Sequence, residues 1–131
     1  LKDKVEAGAH FLVTQLFFDN DAYFDFVLRA REIGITVPII PGIMPISNVA
    51  QLERMTTLCG ATIPPELLAA LEAHREDGRA VEALGVAYAT LQCAELLAGG
   101  APGIHFYTLN RSPATQAILG ALKLQRPWLS R

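Results

Sequence analysis

The sequence has little of what marks nucleic-acid-binding, membrane or secreted proteins. Its 131 residues carry 11 Lys and Arg against 13 Asp and Glu, so there is no excess of positive charge that would bind a phosphate backbone. The longest apolar runs contain proline and fall well short of the roughly 20 residues that a membrane-spanning helix needs. No secretory signal peptide is visible. We therefore expect small-molecule partners, with no nucleic acid and no membrane.

Cysteine is also scarce, as are the residue combinations that form most catalytic centres. Cys59 and Cys93 have no CxxC spacing and no histidine close by in the sequence, which predicts reduced thiols and a cytoplasmic protein. The expected strand ends carry no histidine beside a hydroxyl or thiol, no paired carboxylates and no cluster of metal ligands. The residues alone therefore predict a binding wall, with no metal, rather than a reaction centre.

What the sequence does contain is an alternation of strand-like and helical segments. Apolar segments at 11–18, 37–43 and 103–109 are typical of strands that are covered on both faces. Helical patterns lie at 1–7, 21–33, 49–58, 64–74, 79–97 and 112–122. Strands that alternate with helices form a parallel sheet with right-handed crossovers. The sequence thus predicts an α/β fold, in which residues 1–131 form a single partial barrel domain: the C-terminal portion, about three βα units plus extra helices, of a TIM-type (β/α)8 barrel truncated on its N-terminal side.

Ligands of parallel α/β folds bind at the carboxyl ends of the strands, so the polar residues there are the candidates for function. Gln15 stands at the first strand end, in the run Val13–Asp19. A side-chain amide offers a donor and an acceptor side by side, which suits the edge of a heterocycle. The alternative for Gln15 is a buried amide that hydrogen-bonds a side chain of a neighbouring strand. Asp19, at the end of the same run, is most simply a helix cap.

Three further candidates follow the second and third strands. Gln51 and Met55 are one helical turn apart and share a face, so both could overlook the same cleft. The alternatives are a capping box between Asn48 and Gln51, and core packing for Met55. Arg111 precedes a helix and could hold a carboxylate with two hydrogen bonds, although a lone arginine is more often a surface residue.

Four separated motifs carry a family resemblance. They are KVEAGA at 4–9, TQLFFD at 14–19, IIPGIMPISN at 39–48 and HFYTLNR at 105–111. The sequence resembles the methylenetetrahydrofolate reductases in these motifs and in their order and spacing. These are flavin-dependent enzymes of one-carbon metabolism and methionine biosynthesis. The likeness extends to about residue 122. It implies an eight-stranded TIM-type barrel that binds FAD.

The resemblance also implies roles for individual residues. By position, Gln15 contacts the pterin of the folate and serves the nicotinamide donor in turn, because both bind at the flavin face. Gln51 and Arg111 contact the p-aminobenzoyl-glutamate part of the folate, and Lys4 lies near the flavin phosphates. Met55 stands where the family usually has an aromatic side chain that stacks on the substrate. Methionine can pack against a ring, but the substitution departs from the family pattern.

The family's general-acid glutamate and most of its FAD contacts belong to strands that this sequence does not contain, so we assign no catalytic residue here. We expect the parent protein to reduce 5,10-methylenetetrahydrofolate to 5-methyltetrahydrofolate with NAD(P)H. This chain would supply the folate- and nicotinamide-binding wall and be inactive alone. The alternative is a non-enzymatic half-barrel that self-associates through its open sheet edges, and in either case we expect a homo-oligomer.

Overall fold

The computed structural model describes residues 1–108 and 112–130. A parallel sheet of three short strands lies at the centre, and helices connect each strand to the next, so the predicted α/β fold with parallel strands is confirmed. The strands are β1 (Leu12–Leu16), β2 (Ile39–Ile43) and β3 (His105–Phe106), in that order across the sheet. β1 and β3 are shorter than the predicted segments 11–18 and 103–109.

Several of the helices begin at a residue whose side chain caps the first turn. The helices are α1 (Lys2–Glu6), α2 (Asn20–Glu32), α3 (Val49–Cys59), α4 (Pro65–Ala73), α5 (Gly78–Ala98) and α6 (Ser112–Gln125), followed by a 3-10 turn at Pro127–Ser130. The Asp19 carboxylate accepts a hydrogen bond from the backbone N–H of Asp21 at the start of α2 (3.0 Å). Asp77 does the same for Ala80 at the start of α5 (3.2 Å). Because these signals are local, each helix starts and ends within one turn of its predicted bounds.

The buried side chains form two clusters. The first, the sheet core, lies between the sheet and the helices α2, α5 and α6, and includes Ile39, Ile43, Ala89, Cys93, Leu96 and Ile118. The second, the rim cluster, lies where the strands lead into α3, α4 and the first half of α5, and includes Leu16, Phe18, Met44, Leu52, Leu71 and Val81. The rim cluster therefore supports the end of the sheet at which the candidate residues lie.

Helix α5 is long and apolar enough, by length and composition, to cross a membrane. Its buried residues, however, include Val81 in the rim cluster and Cys93 and Leu96 in the sheet core. A helix with such contacts is typical of the core helix of a globular domain, which passes the same test of length and hydropathy.

β1 contains one extra residue relative to β2. Val13 pairs with Ile40, but Leu16 pairs with Gly42, so three steps along β1 match two steps along β2. The Thr14 hydroxyl forms hydrogen bonds to both strands at this bulge. It accepts one from the Gly42 N–H on β2 (2.9 Å) and donates one to the Gln15 carbonyl on β1 (2.8 Å). The bulge thus lies directly beside the candidate Gln15.

Tyr107 ties the three strands together at this point. Its backbone N–H donates to the Ile43 carbonyl (2.8 Å), and its hydroxyl donates to the Thr14 carbonyl on β1 (2.8 Å). The ring crosses β2 at Gly42, where an added Cβ would lie 2.5 Å from Tyr107 Cε2 and 2.6 Å from the Thr14 carbonyl oxygen. Only glycine leaves room for this crossing.

The first prediction concerns that close approach. We expect Gly42→Ala to lower the free energy of unfolding by about 1–3 kcal/mol, because the methyl group displaces the ring or the strand. The matched control is Gly120→Ala on α6, where an added Cβ meets nothing within 4 Å and alanine should stabilise the helix by up to about 1 kcal/mol. Urea unfolding followed by circular dichroism measures both. Equal effects of the two substitutions would contradict the crossing.

The second prediction concerns the two thiols, which are both free, as predicted. Cys93 is fully buried, and burial raises the pKa of its thiol to about 12. At pH 9 roughly a thousandth of Cys93 is thiolate, the form that reacts with alkylating agents. We therefore expect iodoacetamide to label the half-buried Cys59 in the native chain, and Cys93 only after denaturation. Peptide mass spectrometry reads out both sites, and rapid native labelling of Cys93 would contradict the described packing.

Candidate functional site

Gln15 is exposed at the carboxyl end of β1, immediately after the bulge at Thr14. None of the described residues hydrogen-bonds its side-chain amide, so the alternative of a buried, satisfied amide is wrong. The side chain lines a depression of about 500 Å³. The other lining residues are mostly apolar: Leu1, Val13, Thr14, Leu16, Phe17, Ala22, Tyr23 and Phe26. An uncommitted amide therefore stands at the border of an apolar surface.

Gln51 lies half-buried in the first turn of α3. Its backbone N–H donates to Asn48 Oδ1 (2.6 Å), so Asn48 is the helix cap, as predicted. The side chain does not complete the capping box, however, because its Oε1 accepts a hydrogen bond from the Ser47 hydroxyl. Gln51 thus has a side-chain contact that the helix start does not require.

Gln51 borders a small notch of about 20 Å³. The other lining residues are Met44, Pro45, Ser47, Tyr107, Thr108 and Ala114. A space of this size accommodates about one water molecule or one polar atom of a ligand. Met55 is half-buried and packs against the rim cluster, as the alternative of core packing predicts, and it does not line this notch.

The structure brings some of the predicted residues together and separates others. Gln15 and Gln51 border different concavities, but Thr14 lines the first and Tyr107 the second, and these two are hydrogen-bonded. Lys4 is exposed on α1 and lines neither concavity. Arg111 lies outside the described residues, so its predicted role stays a prediction.

A third cavity, of about 420 Å³, lies beside the start of α2. Its acidic lining residues are Asp19, Asp21, Glu66 and Glu95. Burial raises the pKa of Tyr88, which donates its hydroxyl to the Phe18 carbonyl, and the neighbouring carboxylates raise it further. The Asn20 amide donates to Gln92 O (3.0 Å) and to Glu95 Oε1 (3.1 Å). This cavity disfavours anions, and within the described ranges no group of three His, Cys, Asp or Glu residues could hold a metal ion.

Sequence reasoning missed the roles of Ser47 and Tyr107. Both were recognisable as residues near strand ends, but the Tyr107 contact spans 93 residues and the local Ser47 contact competes with the expected capping box. One local signal was available for Tyr107: a glycine inside a strand, here Gly42, often marks a close approach by another group. No comparable signal in the sequence indicates that the Ser47 hydroxyl is directed to Gln51.

Comparison with known proteins identifies the relatives. Residues 1–123 match the family model of methylenetetrahydrofolate reductase. A methylenetetrahydrofolate reductase (NADH) of Arabidopsis thaliana is 48% identical over 124 residues, covering 95% of this chain and 21% of the relative. A probable NADPH-dependent enzyme of Caenorhabditis elegans is 42% identical over 139 residues, covering 100% of this chain and 21% of the relative. A bacterial 5,10-methylenetetrahydrofolate reductase, from Pectobacterium carotovorum, is 35% identical over 131 residues, covering 100% and 44%.

Among solved structures, a Clostridium thermocellum protein described as binding two copies of 5-methyl-5,6,7,8-tetrahydrofolic acid superposes with a TM-score of 0.61. Its sequence is 21% identical, and the match covers 98% of this chain and 47% of that one. Together with the parallel βα units, this likeness confirms the predicted fold, a portion of a TIM-type (β/α)8 barrel.

The chain spans about a fifth of the length of the plant and nematode relatives that it matches. The family model covers all but the last eight residues of this chain, and the sequence identity to the curated relatives reaches 48%. The chain belongs to the methylenetetrahydrofolate reductase family.

Proposed function

We propose that this chain forms the folate- and nicotinamide-binding wall of an enzyme that reduces 5,10-methylenetetrahydrofolate to 5-methyltetrahydrofolate with NADH or NADPH. The observation that carries the proposal is the exposed amide of Gln15 at the border of an apolar depression. The relatives named for this reaction, and the folate-binding Clostridium protein, support the substrate class. The protein would work in one-carbon metabolism and methionine biosynthesis, in the cytoplasm.

The chemistry of the depression suits a flat heterocycle. Val13, Phe17 and Phe26 offer an apolar surface against which a ring can lie. The Gln15 amide carries a donor and an acceptor, which match the neighbouring ring nitrogen and exocyclic groups of a pterin. A nicotinamide carboxamide presents the same pair of groups, so one uncommitted amide can serve both ligands in turn.

The second part of the wall would hold the rest of the folate. Gln51 borders the notch beside Tyr107, and the Tyr107–Thr14 hydrogen bond fixes this region relative to the strand that carries Gln15. We propose that Gln51 and Arg111 bind the p-aminobenzoyl-glutamate part, and that Met55 packs beside it from the next turn of α3.

The proposed cofactor of the whole protein is FAD, which would supply the hydride. Among the described residues only Lys4 is proposed to approach it, as a positive charge near the flavin phosphates. The described residues do not make a flavin site by themselves, because a diphosphate needs a set of converging donors and Lys4 is a single exposed side chain. No general acid is assigned within this chain.

The third prediction tests the binding wall in an active context. We expect a chimera, in which this chain replaces the matching 124 residues of the Arabidopsis relative, to bind flavin and reduce 5,10-methylenetetrahydrofolate. Gln15→Ala in the chimera should lower kcat/KM for both folate and nicotinamide at least about tenfold, because each loses its paired hydrogen bonds. The matched control is Gln116→Ala, an exposed glutamine on α6 that should change neither.

Two results would contradict this proposal. One is a folded, flavin-loaded chimera in which Gln15→Ala and Gln116→Ala have the same activity. The other is turnover by the 131-residue chain itself: we expect the purified chain to show no flavin absorption band and no NAD(P)H oxidation.

A second candidate function, self-association of a non-enzymatic half-barrel, is favoured by one observation. β1 is the first strand of the sheet and pairs on one side with β2, and its neighbouring apolar side chains are exposed: Phe11 is 56%, Val13 39% and Leu1 50% accessible. An open strand edge beside exposed apolar groups is a template for pairing with another chain. Association at this edge would also cover the depression that Gln15 borders.

The fourth prediction separates a homo-oligomer from a monomer. We expect sedimentation velocity to give a species larger than 14.2 kDa, and Val13→Lys to reduce its mass because an edge lysine opposes strand pairing. Leu124→Lys is the control, since Leu124 is 88% exposed on α6, outside the depression. A monomer at all concentrations would contradict self-association and leave the binding-wall proposal unaffected.

A further inference from the structure

We propose that Ser47 is a positioning residue of the candidate site, and that it sets which end of the Gln51 amide faces the ligand. The Ser47 hydroxyl holds Gln51 Oε1, so Gln51 presents Nε2 as a hydrogen-bond donor, and the ligand group that it recognises is an acceptor oxygen. The identity of the ligand as a folate rests on the proposed function, but the orientation of the amide does not.

The first step is the chemistry of the two side chains. A glutamine amide has one acceptor atom and one doubly donating nitrogen, and by itself it can turn either one toward a ligand. In the structure the hydroxyl of Ser47 donates to Oε1 of Gln51, four residues on. With its oxygen held by Ser47, the amide keeps both N–H groups without a partner among the described residues, and these are the donors that it can offer.

The second step is that the Ser47 hydroxyl has no other task among the described residues. The start of α3 is capped by Asn48, whose Oδ1 accepts the backbone N–H of Gln51, and not by Ser47. The hydroxyl donates to Gln51 Oε1, and no other partner of its side chain is found in the described ranges. Removing the hydroxyl should therefore leave the helix start intact.

The third step is the notch that Ser47 and Gln51 share. Its volume of about 20 Å³ admits about one polar atom. Tyr107 lines it, but the Tyr107 hydroxyl is already committed to the Thr14 carbonyl. The remaining lining consists of apolar side chains and Thr108. A carbonyl or carboxylate oxygen would find the Gln51 N–H groups as donors here.

The first arm of the experiment tests the Ser47–Gln51 contact in the 131-residue chain, without a ligand. In ¹⁵N-resolved NMR spectra, Ser47→Ala should shift the side-chain amide resonances of Gln51, and Ser47→Thr, which keeps a hydroxyl, should restore them towards the wild-type positions. The matched control is Thr57→Ala, which removes an exposed hydroxyl from the far end of the same helix and should leave the Gln51 resonances in place. Unmoved Gln51 resonances in Ser47→Ala would overturn the inference.

The functional arm titrates 5-methyltetrahydrofolate into the flavin-loaded chimera that carries the same substitutions. Ser47→Ala should weaken binding by roughly three- to tenfold, the usual effect of one hydrogen bond. It should add nothing in a Gln51→Ala background, because a positioning residue acts through its partner. Gln51→Glu keeps an acceptor for Ser47 but removes the N–H donor, so it should weaken binding at least as much as Gln51→Ala.

The two proposals fail differently. If the unsubstituted, flavin-loaded chimera binds no folate but Ser47→Ala still shifts the Gln51 resonances of the 131-residue chain, the proposed function is contradicted and the Ser47–Gln51 contact is supported. If that chimera binds folate and Ser47→Ala weakens binding equally with and without Gln51, the hydroxyl acts through something other than Gln51 and the inference is overturned. Tighter binding by Gln51→Glu would also overturn it, since the ligand group would then be a donor.

Discussion

The structure depends on one crossing of side chain and backbone, the passage of Tyr107 over Gly42. The ring leaves the end of β3, passes the middle strand and reaches the carbonyl of Thr14 on β1. The three strands are short, and β3 pairs with β2 through only two residues, so backbone pairing alone holds the third strand weakly. The hydrogen bond from Tyr107, directly after β3, to Thr14 on β1 therefore joins residues that are 93 positions apart in the sequence.

The same contact holds the strand that carries Gln15 at the point where this side chain is exposed. In a regular pairing, Gln15 would oppose Gly42 and Leu16 would oppose Ile43. The extra residue in β1 shifts this register, so that Leu16, which is only 4% exposed in the rim cluster, opposes Gly42. Along β1 itself the alternation is unbroken: Val13 and Gln15 are exposed, and Leu12, Thr14 and Leu16 between and beside them are more buried. The inserted residue therefore changes which residue of β2 each side chain opposes, and not which side chains of β1 are exposed. The Thr14 hydroxyl and the Tyr107 bond stabilise the inserted residue, and Gln15 remains outside.

The parts that could be predicted from the sequence were those with local causes. Helix starts followed from caps such as Asp19 and Asn48, and the parallel sheet followed from strands alternating with helices. The register of β1 against β2 could not be predicted, because the bulge lies beside a contact with Tyr107 far along the chain. The prediction of a capping box at Gln51 was half right for a different, local reason. The local rule placed Asn48 correctly, while a competing partner, Ser47, took the glutamine side chain.

The two glutamines therefore differ in physical state, although the sequence presents them as equivalent amides. Gln15 has no described partner and can rotate to exchange its donor and its acceptor, at the cost of side-chain entropy on binding. Gln51 is half-buried and hydrogen-bonded to Ser47, so it loses less side-chain entropy when a ligand binds, and the orientation of its amide is fixed beforehand. Under the proposed function this difference matches the demands on each residue. An amide that meets a pterin and a nicotinamide in turn must adapt, whereas an amide that meets only the folate tail gains affinity from being fixed in advance.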